Sequence, residues 1–186
     1  YDYPLIAPFL ANVDLRNSAL GVFNPGKITL CEDNSNQRLI ITWTDVSFFS
    51  ALSATEFDNT NTFQVVLQQT DTACIVGATP VNKLEIEFRY ETLTWYAGAD
   101  SGAMIDGLCP EWAVVPDLCA PAVSGIDFGD GLDSDMVPSS MTLDVLNALL
   151  TESNVDIPGV WRWELEGGRL PLCGDSISAA CELCDD

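Results

Sequence analysis

Histidine is absent from this sequence. With it goes the side chain that most often serves as general base or metal ligand near neutral pH, and the usual serine and cysteine triads. Positive charge is scarce: seven Lys and Arg stand against 28 Asp and Glu, a formal charge of −21. Such a surface repels phosphate backbones and anionic headgroups, so nucleic acid is not an expected partner. Long apolar runs are also missing, because Asp, Asn, Thr or Gly interrupts every few positions. A membrane helix needs about 20 uninterrupted apolar residues, and no insertion is expected of this segment. No Asn-x-Ser or Asn-x-Thr sequon occurs, so N-glycans are not expected; O-glycans on Thr55, Thr60, Thr62, Thr70 and Thr72 stay open.

Cysteine, by contrast, is plentiful: Cys31, Cys74, Cys109, Cys119, Cys173, Cys181 and Cys184. Zinc sites built from cysteine alone show two close pairs, and here only Cys181 and Cys184 have that spacing. The reading is therefore disulfides and an oxidising, extracellular compartment. We expect Cys109 with Cys119, Cys31 with Cys74, and one bridge within the tail. Seven cysteines cannot all pair in one chain, so at least one is free or bonds outside it. The first residue is Tyr1 and not Met, and a secretory leader is expected to have been removed.

Strand signals dominate what lies between the cysteines. Leu84 to Glu91 alternates apolar and polar residues strictly, which puts one face in a core and the other in water. Leu39 to Val46, Phe63 to Gln69 and Val160 to Glu166 carry β-branched or aromatic residues in the same rhythm. Turn residues separate them, as in Asp33-Asn34-Ser35-Asn36 and Pro158-Gly159. The expected fold is mainly β: an antiparallel β sandwich with long loops, disulfide-stapled, with at most one or two short helices. Met141 to Leu150 is the predicted helix, with Leu143, Leu146 and Leu150 on one face and Ser139 or Ser140 as cap. Residues 1–166 read as the β domain. Within it lies a loop-rich insertion of about 101–138, and 167–186 reads as a Gly- and Cys-rich tail leading to another module or subunit.

Candidate sites are few. Asp127, Asp130, Asp133 and Asp135 concentrate carboxylates around glycines, chemistry suited to calcium, although the spacing is not that of an EF-hand and a solvated acidic turn is the plainer reading. No other cofactor is expected. Trp43, Trp95, Trp161 and Trp163 fall where alternation turns them inward, leaving Trp112 as the candidate for an exposed, sugar-stacking ring. Among so many acids some carboxylate pair is inevitable, so a glycosidase-like pair carries no information. No enzymatic activity is expected.

Four blocks carry a family resemblance. The first is Leu5-Ile6-Ala7-Pro8-Phe9-Leu10-Ala11-Asn12-Val13-Asp14, then come Ile41-Thr42-Trp43-Thr44-Asp45-Val46 with Phe48-Phe49, Asn61 to Leu67, and Phe88-Arg89-Tyr90 with Leu93-Thr94-Trp95. A closing block follows in Gly125 to Gly131 and Ser153 to Trp161. In this order they resemble the nidogen-like extracellular (NIDO) domain of nidogen, alpha-tectorin and certain membrane mucins, over about residues 4 to 166. Leu10 stands where that family usually has Trp, and Asn12 where it has Asp. The resemblance implies a non-catalytic extracellular structural or adhesion module whose partners are other extracellular proteins or copies of itself. The odd cysteine count and the apolar Leu170, Leu172 and Ile177 of the tail extend this to the repeating subunit of an extracellular filament. The alternative is a carbohydrate- or calcium-dependent binding domain.

Overall fold

The computed structural model describes residues 3–16, 26–49, 58–76, 79–103, 106–110, 118–130 and 134–166, with the side chains of 71–82 and of residue 166 outside that description. Two antiparallel sheets pack face to face. The larger holds β2 (Val13–Asp14), β3 (Lys27–Asp33), β4 (Arg38–Phe48), β5 (Asn61–Val76), β6 (Thr79–Thr92) and β9 (Val160–Glu166). Its order is β2-β4-β5-β6-β9, with β3 also beside β4. The smaller runs β1-β7-β8, from β1 (Leu5–Leu10), β7 (Val123–Asp127) and β8 (Ser134–Met136). The four strands expected from alternation are therefore β4, β5, β6 and β9, neighbours in one sheet.

Register converts that alternation into a core. Leu30, Ile41, Val65, Phe88 and Trp161 lie opposite one another across five strands, and Ile28, Trp43, Phe63 and Tyr90 form the adjoining row. Because directly opposed residues share a face, both rows point toward the small sheet. Phe63, Phe88 and Ile86 are almost wholly buried there. From the small sheet Phe9 reaches back, its ring 5.3 Å from Phe63 and 5.4 Å from Trp95.

Tyr90 joins the two layers chemically. Its hydroxyl donates to the Pro8 carbonyl at 2.5 Å and lies 2.7 Å from Ser124 Oγ, linking β6 to β1 and β7. Burial pushes its phenol far above the ordinary range, so it stays a neutral donor. Tyr90→Phe strands a buried carbonyl and a buried serine hydroxyl. We expect a loss of about 1–2 kcal/mol, read as a lower urea midpoint with unchanged slope.

The insertion is less irregular than its proline, glycine and aspartate content predicts, since it supplies β7 and β8. Cys109 and Cys119 are disulfide-bonded and buried. The Tyr96 hydroxyl is hydrogen-bonded to the Cys109 carbonyl and accepts from its N–H. Closing so short a loop contributes about 3 kcal/mol by chain entropy; paired Cys109→Ser and Cys119→Ser changes should cost that much in a denaturant titration.

Two expectations are corrected. The helix, α1, spans Val145–Thr151 and buries Val145, Ala148 and Leu149; of the expected stripe, Leu146 and Leu150 pack partly buried against the core, while Leu143 lies exposed before the helix. Its start is delayed because Ser139 and Met141 both adopt φ of 64°, a left-handed conformation no right-handed helix admits; Asp144 stands at its N-cap. The second correction concerns Cys31, which is a free, exposed thiol, so the Cys31–Cys74 bridge does not form. Cys31 lies opposite Ile40, and Ile40 opposite Val66, whereas Cys74 sits eight residues farther along β5. At about 3.4 Å per residue, that separation is several times the roughly 7 Å a disulfide spans between α-carbons.

Candidate functional site

The acidic run that pointed to calcium is split by the pleat of the small sheet. Asp135 lies opposite Ile126, on the inner face, and its Oδ2 accepts a 2.8 Å bond from Trp163 Nε1. Asp127 lies opposite Ser134, on the outer face, and its Oδ1 caps the Gly129 N–H at 2.7 Å. Side chains one register position apart point to opposite faces of a sheet. Asp133 is outside the described residues, and among those described no group of three or more His, Cys, Asp or Glu is placed to hold a metal. Of the four aspartates, Asp127 and Asp135 thus face opposite sides of the small sheet.

The aromatic candidates divide similarly. Trp95, Trp161 and Trp163 are buried, and Trp43 stacks on Phe63 with centroids 5.0 Å apart. None of the buried three presents a face to a sugar; Trp112 lies outside the described residues. The tail cysteines Cys173, Cys181 and Cys184, and Leu170, Leu172 and Ile177, do so too. Thr62 is engaged, its hydroxyl bonded to the Asp45 N–H and carboxylate.

The side chains that sequence reasoning missed are polar groups committed to the scaffold. Asn61, fully buried, donates to the Trp95 carbonyl at 2.9 Å and accepts from the Thr94 and Trp95 N–H groups at 2.8 and 3.3 Å. On the outer face of the large sheet, Glu87 is nearly buried between Arg89 and Arg162, with Arg162 Nη2 at 2.5 Å. Burial works to raise its carboxyl, but hydrogen bonds from Arg162 and Arg89 prevail and hold it below the usual range. Glu85 beside it is raised by burial against the attraction of Arg162. At the β3–β4 turn, the Ser35 hydroxyl, then Arg38 and Asn36, hold Asp33 well below that range.

These directions fix a pH response. A carboxyl lowered in the folded state stabilises above its unfolded pKa and loses that contribution as pH falls through the folded one. Asp33, Glu87 and Asp14 are lowered, so their stabilisation disappears below about pH 4. Glu85 acts oppositely, since a raised carboxyl stabilises only at low pH and loses its contribution as pH rises. Relief of the −21 self-repulsion adds to it. Thermal melts should show a midpoint rising from pH 8 toward 5 and falling below 4; a flat profile contradicts this.

Two surface features remain. An apolar cavity of about 360 Å³ opens on the outer face of the small sheet, between Leu5, Leu10, Val123, Met136 and Met141. Along β3, the inner face of the large sheet runs out past its cover. There β3 is exposed along nearly its whole length, Ile28 at 47 % and Leu30 at 61 %. No described helix is long and apolar enough to cross a membrane.

Fold and surface together define a β module whose buried polar groups serve its architecture. The family model for the nidogen-like domain matches residues 25–167, and the chain belongs to that family. Members occur in extracellular proteins of the structural and adhesive kind. No curated protein and no solved structure matches the chain.

Proposed function

We propose that this chain is a non-enzymatic extracellular structural and adhesion module that works by binding other extracellular proteins or further copies of itself, as the repeating subunit of a filament. Membership of the nidogen-like family carries the reading. The disposition of its polar groups agrees with it: Asn61, Tyr90, Glu87 and Asp135 each satisfy a neighbour and not a cleft. Among the described tryptophans, Trp95, Trp161 and Trp163 are buried in the core and Trp43 stacks on Phe63, which weighs against a sugar-binding face built from them.

In the filament, the apolar residues of the tail, Leu170, Leu172 and Ile177, contact the next copy. A head-to-tail contact that does not close on itself extends without limit. Truncation after Glu166 should therefore abolish polymers in sedimentation velocity while leaving the thermal midpoint within a few degrees. A full chain that stays monomeric at high concentration and moderate salt would sink the self-assembly reading.

A further inference from the structure

Strand β3 is an edge without protection. Among the described residues only β4 pairs with it, in an unbroken register from Lys27 opposite Thr44 to Asp33 opposite Arg38. It contains no proline and no bulge, two of the devices that blunt a free edge, and its charges, Lys27, Glu32 and Asp33, are confined to its ends. Its apolar residues, Ile28 and Leu30, continue the inward-facing rows of Trp43 and Ile41 but lie uncovered. An edge so regular and so exposed presents unpaired backbone N–H and carbonyl groups to an incoming strand.

The sequence of the edge indicates which strand fits. Lys27-Ile28-Thr29-Leu30-Cys31-Glu32-Asp33 begins with a cation, ends with two anions and is apolar at its centre. We propose that β3 docks antiparallel on β3 of a second copy, about a two-fold axis at Leu30. This deepens the reading of a self-assembling module and rests on it. In this register Lys27 faces Asp33 of the second copy at both ends, Ile28 faces Glu32, Thr29 faces Cys31, and Leu30 faces its own counterpart. A shift of one residue turns the apolar face outward. A two-residue shift in either direction leaves Lys27 opposite no acid, so only the register centred on Leu30 pairs the charged ends. The paired edges also join the two apolar shelves into one, covering Leu30. The contact closes at two copies, so the dimer becomes the unit that the tail contact links.

Charge sets the conditions. Each copy carries −21, and long-range repulsion is largely screened beyond about 8 Å at physiological ionic strength. Association should therefore strengthen from low to moderate salt.

The test uses the full chain. In sedimentation equilibrium, Leu30→Lys places two like charges face to face and should weaken dimerisation roughly tenfold or more. Because Leu30 is exposed, its thermal melt should match wild type. Thr29→Cys puts a thiol directly opposite Cys31 of the second copy, so mild oxidation should give a reducible covalent dimer. Thr29→Cys combined with Cys31→Ser should not, since diagonal positions lie about 7–8 Å apart. Assembly that persists in Leu30→Lys, with no register-specific cross-link, overturns the β3 contact while leaving self-assembly standing. A wild-type chain that is monomeric at every salt concentration overturns both.

Discussion

Trp95→Ala is expected to destabilise the domain by about 3–5 kcal/mol, enough to unfold much of the population near body temperature if total stability lies in the ordinary range. The indole is fully buried. It meets Phe9 edge-on at 5.4 Å and Phe48 at 5.9 Å, so its loss opens a cavity between two rings from different segments. Its Nε1 donates to the Val46 carbonyl at 3.0 Å, an acceptor that alanine leaves unpaired. The surroundings cannot collapse easily, because Gly107 packs its α-carbon so close that an added methyl would lie 2.5 Å from Trp95 Cβ. Gly107 also has φ of 71°, a conformation glycine adopts without strain. Guanidinium titration followed by near-ultraviolet circular dichroism reads the effect; a loss under 1 kcal/mol contradicts the packing described.

Asn61→Leu keeps the branched shape but adds bulk at a fully buried site, and should cost about 3–5 kcal/mol, because the carbonyl of Trp95 and the N–H groups of Thr94 and Trp95 lose their partner. Asn61→Asp is the informative companion. The carboxylate still accepts from the two N–H groups but cannot donate to the carbonyl, so it too should be costly near neutral pH and recover partly in acid, where the protonated oxygen donates. Asn61 and Trp95 share a network, so a double-mutant cycle should give a coupling energy above the roughly 0.5 kcal/mol seen for independent sites. Additive effects would show that the side-chain amide and the ring act separately.

What was legible in the sequence is what depends on near neighbours. Leu84 to Glu91 announces a half-buried strand by alternation, and β6 covers it entirely. The nidogen-like motifs named the family that the comparison shows. Strand β3 was missed because both of its faces are exposed, which removes the pressure that makes alternation visible. β7 and β8 were hidden in a stretch of turn-forming residues, since their stability comes from β1, far away in sequence. The start of helix α1 was missed because periodicity alone does not reveal that Ser139 and Met141 are left-handed. The partnering of Cys31 depended on strand order, which spacing does not encode. Asn61 closes a run of turn-like residues, Asp58-Asn59-Thr60-Asn61, and only the return of Trp95 to it makes it a hub.

The pairing of β1 with β7 has a consequence for how the chain is made. Leu5 finds its partner in Asp127, about 120 residues later, whereas β4, β5 and β6 follow one another and pair in sequence. During synthesis the first strand emerges early and waits while the large sheet assembles behind it. Contacts so distant are slow to close. The layer that covers Phe63 thus cannot form until β7 and β8 emerge, and until then the nascent chain displays Leu5 to Leu10 and the bare inner face of β4, β5 and β6 to whatever folding machinery attends the ribosome.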